Sequence, residues 1–161
     1  MKGTQLAVRF ALSPLGAAID RFCVRAFGHS PVVWLFTRSD GATYNRPLLL
    51  TTVGRKSGEP RSVVLPCFEV GGGDIAIVGS RGGTPVDPHW AHNLRAHPEA
   101  EVHMRRRRRR VRTREVAGEE RARLWQEIVE RSPVYAHYQQ RAEAHRLIPV
   151  FLIEPPGEPR A

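Results

Sequence analysis

An α+β chain, mainly β, in which helices flank an antiparallel sheet or barrel, is predicted by three observations. The first is element order. The apolar patterns run helix, three strands, helix, two strands, helix, strand, which is not the βαβ alternation of a doubly wound sheet. The second is turn chemistry: Gly71-Gly72-Gly73-Asp74 between two apolar runs reads as a hairpin. The third is size. At 161 residues and 41% hydrophobic, the chain makes one domain with a real core and is not wholly disordered.

Each element has a local cause. Leu15, Ile19, Phe22, Cys23, Ala26 and Phe27 recur with helical spacing, so they predict an amphipathic helix with Asp20, Arg21 and Arg25 off the apolar stripe. Gly28 stops it. Ser30-Pro31 supplies an N-cap and a first-turn proline for a short helix through Phe36, broken at Ser39-Asp40-Gly41. Leu48 to Val53 is a buried-strand run, Gly54 to Pro60 a loop, Arg61 to Val70 a strand, and Ile75 to Val78 its return. Asp87 is expected to cap a helix with Pro88 at its first position, running through Trp90 and Leu94 and stopping before Pro98. Ala100 to Met104 and Val111 to Val116 read as a strand pair with an arginine run across their junction. Gly118 to Arg131 is a helix ended by Ser132-Pro133, and Leu147 to Ile153 a last strand.

The charge of +9 is concentrated. Arg105 to Arg110, Arg112 and Arg114 contribute eight of the nine net charges, so the remainder is nearly neutral. A histone-like, uniformly basic protein is thereby excluded. Cys23 and Cys67 make no disulfide framework or metal motif and are expected to be buried thiols. No apolar run is long enough to span a bilayer. The apolar stretch Phe10 to Ile19 follows Lys2 and Arg9, but Pro14 and Gly16 interrupt it, so a signal peptide is the weaker reading. The expected location is cytoplasmic, with contact to a membrane surface left open.

Two loops are candidates for chemistry. In Thr51-Thr52-Val53-Gly54-Arg55-Lys56-Ser57-Gly58, glycines allow a tight turn, and Arg55, Lys56 and Arg61 place three cations within seven residues. Such a turn suits a phosphate or carboxylate, or is an ordinary solvated hairpin. It is not a Walker A loop, because a strand follows it. Gly79-Ser80-Arg81-Gly82-Gly83 follows a strand and offers free backbone N–H groups and the Ser80 hydroxyl, or is a flexible connection. His89, His92, His97 and His103 lack the cysteine or clustered acid that would complete a metal site, and none is expected. Ser80 is not in a G-x-S-x-G elbow.

These segments together resemble the deazaflavin-dependent nitroreductase family, also called deazaflavin-dependent quinone reductases. The matching residues are Leu48 to Gly58 (LLLTTVGRKSG), Pro60-Arg61, Val78 to Gly83 (VGSRGG), Pro88 to Leu94 (PHWAHNL) and Ile148 to Phe151 (IPVF), in order and similarly spaced over roughly residues 45 to 155. The resemblance implies a split β-barrel, reduced coenzyme F420 (a deazaflavin) as hydride donor, and quinone, nitro or other electrophilic small molecules as acceptors. FMN is the second candidate cofactor. The chain is thus expected to divide into an N-terminal helical segment over 1–46, read from its periodicity, a split-barrel cofactor-binding domain over 47–155 and a tail over 156–161.

Carried over by position, the resemblance gives Arg55, Lys56 and Arg61, with Ser57 in the same turn, to the cofactor's phosphate and acidic tail. Val63 and Val64 would lie beside the ring. Ser80, Arg81 and Gly82 would contact the ring or ribityl region; the family more often has lysine at the Arg81 position. Trp90 and Asn93 match the helix that closes the site. Tyr135 and Tyr138 match tyrosines lining the substrate pocket, and their spacing puts them on one helical face. Tyr135, Tyr138 and Ser80 are thus the candidate catalytic residues. A third tyrosine of some relatives would fall near Ser132.

The competing reading is a binding module in which Arg105 to Arg114 neutralises phosphates of nucleic acid or anionic lipid. The run holds no aromatic for base stacking, and alternate strand residues face opposite sides, so nucleic acid is not the expected partner. A solvated hairpin tip is the plainer expectation. Peripheral membrane contact and a homodimer both stay open.

Overall fold

The computed structural model describes residues 13–39, 45–71 and 73–154. Asp40-Gly41, Gly72, the start of the Phe10–Ile19 run and the tail over 156–161 therefore lie outside the described residues. The first helix, α1, spans Pro14–Phe27; Ser13 Oγ accepts from Gly16 N–H at 3.1 Å, and Gly28 N–H closes it on the Val24 carbonyl at 3.0 Å. Helix α2 spans Pro31–Ser39, with Ser30 Oγ accepting from Val33 N–H at 2.9 Å.

The sidedness of α1 is the reverse of the expectation. Leu15, Ile19, Phe22 and Phe27 are exposed, Cys23 and Ala26 are half-buried, and the face packed inward is Gly16, Asp20 and Val24. Helical periodicity is present, but the small-residue stripe allows close approach to the barrel. Asp20 makes that stripe specific. Its Oδ1 accepts from Ser30 Oγ at 2.8 Å and from Val32 N–H at 3.1 Å, so the buried carboxylate fastens α1 to the start of α2. Asp20→Ala would leave both donors without that acceptor. It is expected to cost about 1–3 kcal/mol, read by urea denaturation; a change within experimental error would show that the link is not structural.

Six strands follow: β1 (Pro47–Val53), β2 (Pro60–Val70), β3 (Asp74–Val78), β4 (Glu99–Met104), β5 (Arg107–Glu115) and β6 (Val150–Glu154). They close as an antiparallel barrel in the order β1-β2-β3-β6-β5-β4, with β4 returning to β1. Helix α3 (His89–Ala96) lies between β3 and β4, and helices α4 (Gly118–Arg131) and α5 (Val134–Ala142) between β5 and β6. This is the expected α+β split barrel with flanking helices.

Strand alternation builds two cores. Leu48, Leu50, Cys67, Ile77, Val102, Val111 and Phe151, drawn from all six strands, fill the barrel, and Trp90, Ala91 and Leu94 of α3 pack on them. The opposite faces, Phe68, Val70, Ala76, Val78, Val150 and Leu152, pack against Leu124, Ile128, Tyr135 and Ala142 of α4 and α5. β3 and β6 are therefore covered on both sides. Arg121 is a buried cation among them. It donates to the Ile148 carbonyl at 2.9 Å and lies 4.7 Å above the Trp125 ring, and burial pushes its pKa down.

Four further expectations need correction. Asp87 does not cap α3; Pro88 holds the cap position, and Asp87 is drawn off by Arg95 and Arg146, each at 2.6 Å. Only Arg105 and Arg106 form the β4–β5 turn, both with left-handed φ (51° and 63°), and the rest of the arginine run continues as β5. The last strand starts at Val150, because Ile148 N–H and the Arg146 carbonyl bond to the Gln139 side chain rather than to a neighbouring strand. Cys67 is buried, and burial pushes its thiol up to about 11, whereas Cys23 is only half-buried.

Candidate active site

A cavity of about 840 Å³ opens beside the barrel between the β1–β2 turn, the segment after β3, the start of α3, and α5. Each of its walls follows from local sequence. The β1–β2 turn closes when Gly58 N–H donates to the Gly54 carbonyl at 2.7 Å and Gly54 N–H to the Glu59 carbonyl at 2.8 Å. A Cβ at Gly54 would stand 2.7 Å from Ser57 Oγ and 3.1 Å from the Glu59 carbonyl oxygen, so any larger residue there would displace the Ser57 hydroxyl. Asn93 fixes the turn from α3: its amide donates to Thr52 Oγ1 at 3.0 Å and its Oδ1 accepts from Arg55 N–H at 3.1 Å. The amide of this buried residue thus has a partner at each end.

The second wall is a 3-10 turn, Arg81–Gly83, in which Arg81 holds a left-handed φ of 46°. Arg146 fastens it. This nearly buried guanidinium donates to the carbonyls of Gly79 (3.0 Å), Ser80 (2.7 Å) and Thr84 (2.8 Å) and pairs with Asp87. Arg141 of α5 adds a bond to the Gly82 carbonyl at 3.0 Å.

The third wall is aromatic. Tyr135 is buried, edge-on to Phe68 at 5.3 Å, to Trp125 at 6.5 Å and to Tyr138 at 5.6 Å. That packing fixes the ring that supports the more accessible Tyr138. Trp90, on the α3 side, packs edge-on to Phe151 of the barrel interior at 5.6 Å.

Every residue expected at the site lines this one cavity: Arg55, Lys56, Ser57 and Arg61 from the first turn, Val63 and Val64 from β2, Ser80, Arg81 and Gly82, Trp90 and Asn93, and Tyr135 and Tyr138. His89 lines it too. His92 does not; burial, with the Arg55 and Arg95 cations beside it, pushes its imidazole below the ordinary value. The sequence reading missed Asn45, Val32 and Val33 as lining residues and treated Ser132 only as a place where a tyrosine is absent. Ser132 is buried and accepts a long bond, 3.5 Å, from the Asn45 amide. Asn45, Val32 and Val33 come from the loop before β1 and from α2, where no motif marks them; Ser62, Leu65 and Pro66 of β2 and Val134 of α5 were missed as well.

The electrostatics are one-sided. Four cations line the cavity (Arg55, Lys56, Arg61 and Arg81) and no carboxylate does. Among the described residues none of the four has an ion pair, whereas Arg95, Arg105, Arg108, Arg114 and Arg146 all do. The arrangement can take an elongated ligand, anionic at one end and planar and apolar toward the tyrosines. No three of His, Cys, Asp and Glu gather to hold a metal among the described residues.

Barrel and cleft together are those of the flavin/deazaflavin split-barrel oxidoreductases. Residues 32–155 match the F420H(2)-dependent quinone reductase family, and the chain belongs to it. It is 38% identical over 109 residues to the F420H(2)-dependent quinone reductase Rv1261c of Mycobacterium tuberculosis, covering 66% of this chain and 71% of that one. The solved F420-H2 dependent reductase FDR-A is 40% identical and superposes with a TM-score of 0.59, over 67% of this chain and 93% of that one. A structure solved as a domain-swapped dimer is 36% identical, with a TM-score of 0.60 over 78% of this chain and all (100%) of the other.

Proposed function

We propose that this protein transfers a hydride from reduced coenzyme F420 to a quinone, a nitro compound or another electrophilic small molecule. The observation that carries the reading is the charge layout of the cavity, with four cations that have no ion pair among the described residues, no lining carboxylate and a tyrosine pair. It fits a cofactor with a phosphate and an acidic tail at one end and a planar ring at the other. FMN has no support from the family or from the relatives compared above.

In this reading Arg55, Lys56, Ser57 and Arg61 hold the phosphate and acidic tail. Val63 and Val64 flank the ring, Ser80, Arg81 and Gly82 contact the ring or ribityl chain, and Trp90 and Asn93 close the α3 side. When bound, F420 supplies the hydride, while the protein supplies placement and polarity. Tyr138 or Ser80 donates a hydrogen bond to the acceptor oxygen as it gains negative charge, and Tyr135 holds Tyr138 in place. The domain-swapped relative supports a homodimer for this chain, which light scattering would read.

The test is direct. The purified protein should quench F420 fluorescence and should oxidise F420H2 with menadione or a nitroaromatic acceptor; failing both would sink the proposal. Replacing Arg55 and Lys56 together with alanine should weaken F420 binding by about 10–100-fold, on the scale of losing charge-assisted hydrogen bonds. The salt dependence should flatten in a fluorescence titration. Unchanged affinity would move the anionic tail elsewhere.

A further inference from the structure

We infer that Ser132, steadied by Asn45, is a second hydrogen-bond donor at the acceptor end of the cavity. The pair selects acceptors with two carbonyl oxygens on opposite sides of a ring, the para-quinones, over acceptors with a single oxygen. This deepens the reductase reading and rests on it.

The cavity has a direction. β2 lines it from Arg61 to Pro66, which an extended strand spreads over about 16 Å. Arg61 stands at the cation end, beside the β1–β2 turn. Pro66 pairs with Pro47 at the opposite end of the same ladder. Asn45 sits at that far end, just before β1, where the Arg46 carbonyl accepts from Cys67 N–H at 3.0 Å. In the reading above, the cofactor's phosphate and ring occupy the stretch from Arg61 to Val64. The space beside Leu65, Pro66, Val32 and Val33 is left for the acceptor, and these four walls are apolar.

Besides the tyrosine phenols, Asn45 and Ser132 bring the polar groups to this end. The main chain of Ser132 is fully used. Its N–H donates to the Ile128 carbonyl at 2.9 Å, and its carbonyl accepts from Tyr135 N–H at 3.1 Å, so it is fixed where α4 ends and α5 begins. The residue is 1% exposed. Its hydroxyl accepts the long 3.5 Å bond from the Asn45 amide, and no acceptor for the hydroxyl proton lies among the described residues. Other polar lining groups differ. The Asn93 amide has partners at both ends, and the Ser62 hydroxyl lies 2.8 Å from that of Thr51. A rigidly held, buried donor in an apolar wall is a group that a ligand oxygen completes.

The spacing suits two oxygens. Ser132, Tyr135 and Tyr138 recur at every third residue and share one side, with Tyr138 about 9 Å beyond Ser132 at helical rise. A flat ring lying along this column presents one oxygen to Tyr138 or Ser80 and the opposite one to Ser132. Hydride received at one oxygen of a para-quinone forms an O–H bond and drives one electron pair through the ring onto the opposite oxygen. That oxygen then takes a proton from water, and the hydroquinone results; the reductant is the F420H2 of the reading above. Ser132 thus donates to the oxygen on which negative charge collects. A single-carbonyl acceptor has no second oxygen to offer it.

Kinetics with F420H2 and two acceptors test this: menadione, with two opposed carbonyls, and cyclohexenone, with one. Ser132→Ala should lower kcat/KM for menadione about 10–100-fold, the scale of losing a hydrogen bond to a charged group. The ratio of menadione to cyclohexenone kcat/KM should fall about tenfold. Asn45→Ala should lower that ratio about 3–10-fold, because the hydroxyl loses its fixed direction. Ser132→Thr, which keeps the hydroxyl, should recover most of the loss. A readout without turnover is calorimetric titration of the protein alone with menadione, which Ser132→Ala should weaken about 3–10-fold. Asn45→Ala, at a half-buried position, carries the test if Ser132→Ala fails to fold. The inference is overturned if the acceptor ratio is unchanged in the folded variants. It is equally overturned if F420 affinity, read by fluorescence, falls as far as menadione turnover does. A wild-type protein that oxidises F420H2 with no acceptor removes the reductase reading instead. Calorimetry then decides for the pair: weaker menadione binding by the variant keeps the dione site, and equal binding removes it.

Discussion

Gly83→Ala is expected to destabilise the protein by about 2–5 kcal/mol and to disturb the cavity more than its distance from the cations suggests. Gly83 has a φ of +77°, and a Cβ there would stand 2.6 Å from the Tyr138 carbonyl oxygen and 3.0 Å from Tyr138 Cα. Both are backbone atoms of α5, so relief requires the turn and the helix to move apart. That helix carries Tyr135 and Tyr138, while the turn carries Ser80, Arg81 and Gly82. The substitution therefore separates the two groups proposed to meet at the acceptor. Gly82→Ala is the control. Its φ is +64°, but a Cβ there meets nothing within 4 Å, so it should show only the smaller conformational penalty, about 1–2 kcal/mol. Equal losses for the two variants in thermal unfolding would show that the collision with α5 is not the cause.

Arg146→Met should cost about 3–5 kcal/mol, the range for removing one partner of a buried charged network. The guanidinium satisfies three carbonyls and binds Asp87 at 2.6 Å, with only 9% of the side chain exposed. Met fills the volume and leaves the carbonyls without their donor. Asp87 keeps Arg95, so the network is weakened and not abolished. The segment from Gly79 to Asp87 should loosen first, seen as faster proteolysis there and weaker F420 binding. Arg146→Lys should recover part of the loss, because one ammonium cannot span the same acceptors. A loss under about 1 kcal/mol in urea denaturation would show that the segment is held by other contacts.

The strands were legible because their signals are local. The apolar runs of β1, β2 and β3 and the glycine turns name their own conformation, and the antiparallel pairing of β1 with β2, β2 with β3 and β4 with β5 follows from short connections. The cavity was legible in another way: Arg55, Lys56 and Arg61 stood out as clustered cations, and the remaining lining residues came with the family motifs. The sidedness of α1 was not legible. Periodicity shows that a helix has two faces, and the buried one was decided by the bonds Asp20 makes to Ser30 and Val32 after the next turn of chain. Asp87 was misread for the same reason. A local rule assigns it to the nearest helix start, while Arg146, 59 residues away, takes its carboxylate. Arg146 itself carried no signal, being one arginine in a loop without period or motif.

The barrel is also unevenly proofread. On β6, Phe151 faces the interior while Val150 and Leu152 face α4 and α5, so a slip by one residue would strand apolar groups in both cores at once. The first four residues of β5, all arginine, are exposed, and slippage there would move one guanidinium into the place of another at little cost. Alignment of that hairpin is enforced from its far end, by Val111 and Thr113, so the chain can vary the number of arginines near its tip without asking the barrel to re-pair.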